Sequence, residues 1–485
     1  MGNRLDSHRR LEQPLASSGR SSRRGLRQVV VALAMLVGGS GLPALAQLGL
    51  PSLPGPRMPS LDPPIGIDQR LERTAGRAGM ALDPASLASL RKLKIRDLLR
   101  RHGDRIEADS AGEPIVRGEV LAVSPGAGLL AAARGAGFVI LRERPLAGLG
   151  ISVVALRPPS GVSTRRALER LRALDPAGAF DFNHIYIESG ELAGMRAGVT
   201  APAATGFTPG SGPSAVTAPG TAVAGRLGLI DGGVDLASAL LQQAQVRSWG
   251  CEGRQIASSH GTAVASLMVG RGAGFKGAAP GLTLYAADVY CNEATGGAVD
   301  GIADALAWLA GERVAVINIS LVGPPNHLLE QLMTRMQALG HTVVAAVGND
   351  GPAAPPLYPA AYPGVIGVTA VDARRRVLPE AARGAQVDFA APGADMAAAA
   401  AGGYTIVRGT SFAAPLVSGL LAAQLAEPEP KAGGQALADL AAAATDLGAP
   451  GRDPMFGHGL VGEHLRVDPA QVLSPRELAR LRRGR

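Results

Sequence analysis

The sequence contains no uninterrupted stretch of 18 apolar residues, so nothing in it reads as a stable membrane anchor. Cysteine is nearly absent. With only Cys251 and Cys291, and no histidine spacing to complete a set, the chain cannot build a structural zinc site. Aromatic residues make up 3% of the chain, which follows from its bias toward alanine and glycine and carries no functional meaning. Basic charge is also missing from the body of the chain, despite a formal net charge of +8. Residues 1–46 hold +5 and residues 471–485 hold +4, so everything between them is about neutral. A nucleic-acid reader needs its lysines and arginines on the folded surface, and that class is set aside.

What is present begins with an export signal. An arginine-rich start leads into the apolar run Val29 to Val37, and Ala44-Leu45-Ala46 fits the small-residue rule for cleavage after Ala46. The pair Arg23-Arg24 also fits a twin-arginine signal, so both export routes stay open. The mature protein is expected in the periplasm or outside the cell. There the two cysteines are free to form a disulfide, with two buried thiols as the alternative.

Composition then divides the chain. Residues 47–114 read as a flexible leader that includes a basic amphipathic helix from Ser86 to about Arg101. Residues 115–187 alternate strand-like and helix-like periodicity in the order βαββαβ, which predicts a small ferredoxin-like α+β unit. Residues 188–224 are Ala, Gly, Pro and Thr with few bulky side chains, and read as a linker. From 225 to 462, apolar strands alternate with helix-length segments, the pattern of an α/β domain with a parallel sheet flanked by helices. Residues 463–485 form a basic tail.

Four polar residues in the α/β segment sit where chemistry is expected, since catalytic groups in such folds gather at the carboxyl ends of strands. Asp231 follows the apolar run Leu227 to Ile230 and precedes two glycines. His260 opens a run of small and apolar residues that predicts a buried helix, and imidazole is the usual base for a serine nucleophile. Ser411 lies in Gly409-Thr410-Ser411-Phe412-Ala413-Ala414-Pro415, where a helix starting at the serine aims its amides at developing negative charge. Asn349, on a turn after Val343 to Gly348, can donate its side-chain amide to the same charge.

Together these segments resemble the subtilase family of serine proteases over roughly residues 225–462. The resemblance implies a subtilisin-like fold and endopeptidase activity, with Asp231, His260 and Ser411 as catalytic triad and Asn349 in the oxyanion hole. It also implies that Ser320, Leu321, Val322 and Gly323 form a substrate-aligning strand, and that residues 115–187 stand where the family carries an inhibitory propeptide. The partners are then protein or peptide substrates and the chain's own propeptide. No organic cofactor is implied. Calcium is common in the family, but no acidic cluster here offers a site. Two departures stand out: Gly232 replaces the usual Ser or Thr and predicts a looser turn, and Val322 replaces the usual Gly and predicts preference for Ala or another small apolar residue before the cut bond. The rival readings are a catalytically silent binding protein on this fold and an esterase. The esterase elbow needs Gly-x-Ser-x-Gly, whereas Ser411 is flanked by Thr410 and, two positions later, Ala413.

Overall fold

A computed structural model describes residues 84–192 and 225–483. The expected export signal, the first part of the expected leader and most of the expected linker lie outside the described residues.

The first described element is helix α1 (Pro84–Arg101), followed by strand β1 (Ile106–Ala108). Next come β2 (Pro114–Val123), α2 (Ala127–Gly135), β3 (Val139–Leu146), β4 (Ile151–Arg157), α3 (Thr164–Leu174) and β5 (Ala179–Glu188). These four main strands form an antiparallel sheet in the order β5-β2-β4-β3. One face is closed by the unit's own helices, with Leu129, Leu130, Leu168 and Leu171 packed on Val120, Val154 and Phe180. The sequence spacing of Leu168, Leu171 and Leu174 predicts one helical stripe; the first two are buried here, whereas Leu174 is exposed. The other face, carrying Leu121, Val123, Val153 and Ala155, joins a different core.

That core belongs to the α/β domain. The short strand β6 (Glu191–Leu192) precedes the undescribed linker, and β7 (Arg226–Asp231) follows it. Then come β8 (Val246–Trp249), α4 (Ser259–Val269), β9 (Thr283–Asp288), β10 (Gly297–Ala298), α5 (Val299–Gly311), β11 (Val316–Ile319) and β12 (Leu321–Val322). The remainder is α6 (His327–Ala338), β13 (Thr342–Ala346), β14 (Ile366–Val371), β15 (Phe389–Pro392), β16 (Ala394–Ala400), β17 (Gly403–Arg408) and α7 (Thr410–Ala422), before the C-terminal helices. Seven strands pair in parallel in the order β15-β14-β13-β11-β7-β9-β8. Helices α4 and α7 cover one face, and α5 and α6 cover the other. Strands buried on both sides must be apolar throughout, which explains runs such as Thr342–Ala346. The connections from β7 and β11 leave in opposite directions, and the crevice at such a switch point is where α/β sheets bind ligands.

The antiparallel unit docks on α5 and α6 through complementary charge and capping. Arg142 pairs with Glu119 of its own unit and Asp300 of α5, both at 2.5 Å. The Asn183 side-chain oxygen accepts from the Asp300 amide at 3.3 Å, and Asp181 accepts from the His327 amide at 2.7 Å. Both acceptors meet helix N-termini, which have amides with no partner inside the helix.

Candidate active site

Each candidate side chain stands at the end of a buried element. Asp231 is the last residue of β7 and is fully buried. His260 is in the first turn of α4, and its Nδ1 lies 2.9 and 3.0 Å from the two Asp231 carboxylate oxygens. This approach depends on glycine: a Cβ at Gly261 would fall 2.1 Å from the Gly232 carbonyl oxygen. At Gly232, where a looser turn was expected, the backbone is closely packed, because a Cβ there would meet the Ser258 side chain at 2.6 Å. Ser258 fills that volume and caps α4, accepting from the Gly261 amide at 3.3 Å.

Burial opposes a charged imidazole, yet the Asp231 and Glu188 carboxylates outweigh it and push His260 up to about 9. Its Nε2 is buried and has no hydrogen-bond partner.

Ser411 lies in the first turn of α7, after Gly409 at φ 132°. Glycine is required there twice over, by that left-handed φ and because a Cβ would crowd Asn349 Nδ2 at 2.8 Å and the Gly190 Cα at 2.9 Å. The Ser411 hydroxyl donates to the Ser320 carbonyl at 3.2 Å, and the Ser320 hydroxyl donates to the Ser411 carbonyl at 3.0 Å. Beneath them Asn318 donates to Ser320 Oγ and accepts from Ser418 Oγ, at 2.9 and 3.0 Å. A buried polar chain thus fixes the start of α7. Asn318 and Ser418 were not evident from the sequence, since each reads as one polar residue in an apolar run.

Asn349 sits just beyond β13. Its Oδ1 accepts from the Thr410 amide at 3.2 Å, which leaves its Nδ2 directed at the Ser189 carbonyl oxygen, 2.5 Å away. The Ser411 amide donates to the same oxygen at 3.2 Å. Two donors therefore converge on one carbonyl beside a serine side chain.

That carbonyl belongs to the chain itself. Strand β5 enters the cleft between β10 and β12, antiparallel to both: Gly297 and Ala298 face Tyr186 and Ile185, while Leu321 and Val322 face Glu188 and Ile187. The expected aligning segment thus meets a real strand. Ser320 precedes it and holds Ser411; Gly323 follows it and makes room for the fully buried Tyr186, whose ring would lie 2.6 Å from a Cβ at that position. The Tyr186 hydroxyl donates to the Pro324 carbonyl at 2.7 Å. Past the crossing, Glu191 and Leu192 pair with Arg408 and Val407 of β17. Extended pairing therefore runs beyond the compositional boundary at 188, because backbone pairing needs no bulky side chains.

Cys251 and Cys291 form a disulfide with a Cα separation of 5.2 Å, which ties the turn after β8 to the loop before β10. Among the described residues, two groups of side chains come close enough to share an ion: Cys251, Asp288 and Cys291, and Glu188, Asp231 and His260. Neither is the oxygen-rich shell that calcium takes.

The Subtilase family model matches residues 220–459. Subtilisin DY of Bacillus licheniformis is 33% identical over 211 residues, covering 42% of this chain and 76% of that protein. The chain belongs to the subtilase family. The Minor extracellular protease Epr of Bacillus subtilis (strain 168) is 29% identical over 208 residues, and the match spans 32% of its length. Among solved structures, fervidolysin from Fervidobacterium pennivorans, a keratinolytic enzyme related to subtilisin, superposes with a TM-score of 0.57 at 21% identity. It covers 73% of this chain, and the chain covers 61% of it; at that identity the likeness shows the subtilisin-like fold alone. No described helix of this subtilase is long and apolar enough to cross a membrane.

Proposed function

We propose that this subtilase is an exported serine endopeptidase acting on protein substrates, and that its first substrate is its own Ser189–Gly190 bond. One observation carries the reading: the Ser189 carbonyl oxygen accepts from both Asn349 Nδ2 and the Ser411 amide. A carbonyl held by two donors next to a serine hydroxyl is the arrangement acyl transfer requires.

The Ser411 hydroxyl turns from the Ser320 carbonyl to the open Nε2 of His260 and attacks the Ser189 carbonyl carbon, while Nε2 takes the proton. Asp231 holds the other ring nitrogen and stabilises the imidazolium. The oxyanion gains charge against Asn349 and the Ser411 amide. The C–N bond then breaks as His260 returns the proton to the Gly190 nitrogen, and water releases the acyl group by the same steps in reverse. Ser189, as the residue before the cut, is small as expected from Val322 but polar, where a small apolar residue was expected.

On this reading the antiparallel unit is an inhibitory propeptide. After cleavage β5 stays paired between β10 and β12 and blocks the cleft until the released unit dissociates, which frees the site for other substrates. The export signal expected from the sequence at residues 1–46 supports a reaction in the periplasm or outside the cell. The two-edged pairing of an extended backbone favours a polypeptide substrate over a simple ester, and the presence of acid, base, nucleophile and both donors favours an enzyme over a silent scaffold. A serine-directed fluorophosphonate should label wild type and not Ser411→Ala, and casein should be cut far faster than a short-chain ester. Equal labelling of both proteins, or an ester preference, refutes the assignment.

A further inference from the structure

Gly190 follows the carbonyl held between Asn349 and Ser411, and its lack of a side chain is not a backbone requirement, since its φ lies outside the left-handed region. The requirement is space. A Cβ on Gly190 would lie 2.6 Å from Phe412 Cε2, 3.2 Å from Phe412 Cζ and 3.2 Å from Ser411 Cβ. A carbon–carbon contact of 2.6 Å is far inside the optimal separation of about 3.5–4.0 Å, so something must shift.

Neither partner can shift freely. Phe412 is fully buried in the core under α7, and its ring lies against the His260 imidazole, with centroids 5.2 Å apart. Displacing the ring disturbs either that core or the base. The chain is also held on both sides of Gly190. Before it, the buried Ser189 hydroxyl lies 3.2 Å from Thr410 Oγ1 and accepts from Asn349 Nδ2 at 3.2 Å. After it, Glu191 and Leu192 are paired with β17.

Resting on the proposed proteolytic reading, we infer that Phe412 closes the subsite after the cut bond, so that the enzyme cleaves peptide bonds whose amine comes from glycine. Phe412 is then the specificity-determining residue. The substrate class is extended protein segments with a small residue before the cut and glycine after it, of which Ser189–Gly190 is the chain's own example. Any side chain in the second position must move Phe412 in the transition state, where His260 has to be in place to return its proton.

The test compares two quenched-fluorescence peptides spanning the sequence of residues 184–195, one native and one with alanine at the Gly190 position. The exported wild-type protein cleaves them while a fluorophosphonate label counts active sites. Overpacking of this kind predicts a kcat/KM ratio of roughly tenfold to a hundredfold in favour of glycine. F412A, or F412L if the smaller variant does not fold, should bring the ratio toward unity by accelerating the alanine peptide. Labelled wild type that cuts both peptides equally overturns the glycine requirement alone. A ratio unchanged in the Phe412 variants removes Phe412 as its cause, and unlabelled protein that cuts neither peptide overturns the serine-protease reading with it.

Discussion

The charge on His260 gives the account a quantitative handle. With β5 in the cleft, Asp231 and Glu188 together overcome burial and push His260 up to about 9. A general base must be neutral, and at pH 7 a group titrating near 9 is neutral in only about one molecule in a hundred. Self-cleavage should therefore rise about tenfold per pH unit through neutrality, reach half its maximum near 9 and level off above that. Glu188→Gln removes one of the two charges that raise the pKa and leaves Asp231 in place. Glu188 acts on the ring by charge alone, whereas Asp231 acts by charge and by a hydrogen bond, so the share of Glu188 is the smaller one. The midpoint should move to lower pH, and each unit of movement multiplies the neutral fraction at pH 7 about tenfold. The assay is refolding of denatured precursor at fixed pH from 6 to 10, acid quenching, and quantification of the N-terminal fragment. A purely structural role for Glu188 in binding the cleft would change the amplitude and leave the midpoint alone. Identical midpoints in the two proteins would refute the electrostatic argument.

Asn349→Ala should lower turnover roughly a hundredfold or more with little change in KM, because the lost donor acts on charge present only in the transition state; a loss confined to KM would remove Asn349 from the oxyanion hole. Ser411→Ala should accumulate as uncut chain with an unchanged circular dichroism spectrum, since the substitution deletes a hydroxyl and opens no cavity. In that inactive background, replacing both Cys251 and Cys291 by serine should reduce stability by about 4 kcal/mol in denaturant titration, as expected for cross-linking a loop of this length; an unchanged midpoint would mean that the bridge constrains little.

Much of this arrangement can be read from the sequence, and the reason is local. The strand and helix periodicities of residues 115–187 and the run of apolar strands after 225 reflect burial, which acts residue by residue. Asp231, His260, Asn349 and Ser411 each stand at the end of such a run, so their positions follow from the elements that carry them. What stayed hidden depends on distant packing. Ser189 and Gly190 look like the start of a linker because their ordering comes from β10, β12 and β17, more than a hundred residues away in the chain. Gly232 looks like a loosened turn because Ser258, which takes up the missing volume, is an ordinary helix cap in sequence. Phe412 reads as one more core aromatic, and only the threaded strand reveals what its ring excludes.

The central claim, that this subtilase cuts its own chain with Ser411, is tested most directly by intact mass and N-terminal sequencing of the exported protein beside Ser411→Ala. The account predicts a mature fragment of wild type beginning at Gly190, and a mutant in which the bond between Ser189 and Gly190 is whole. A wild-type protein that reacts with fluorophosphonate yet keeps that bond intact, or a mutant cut at the same bond, would contradict it.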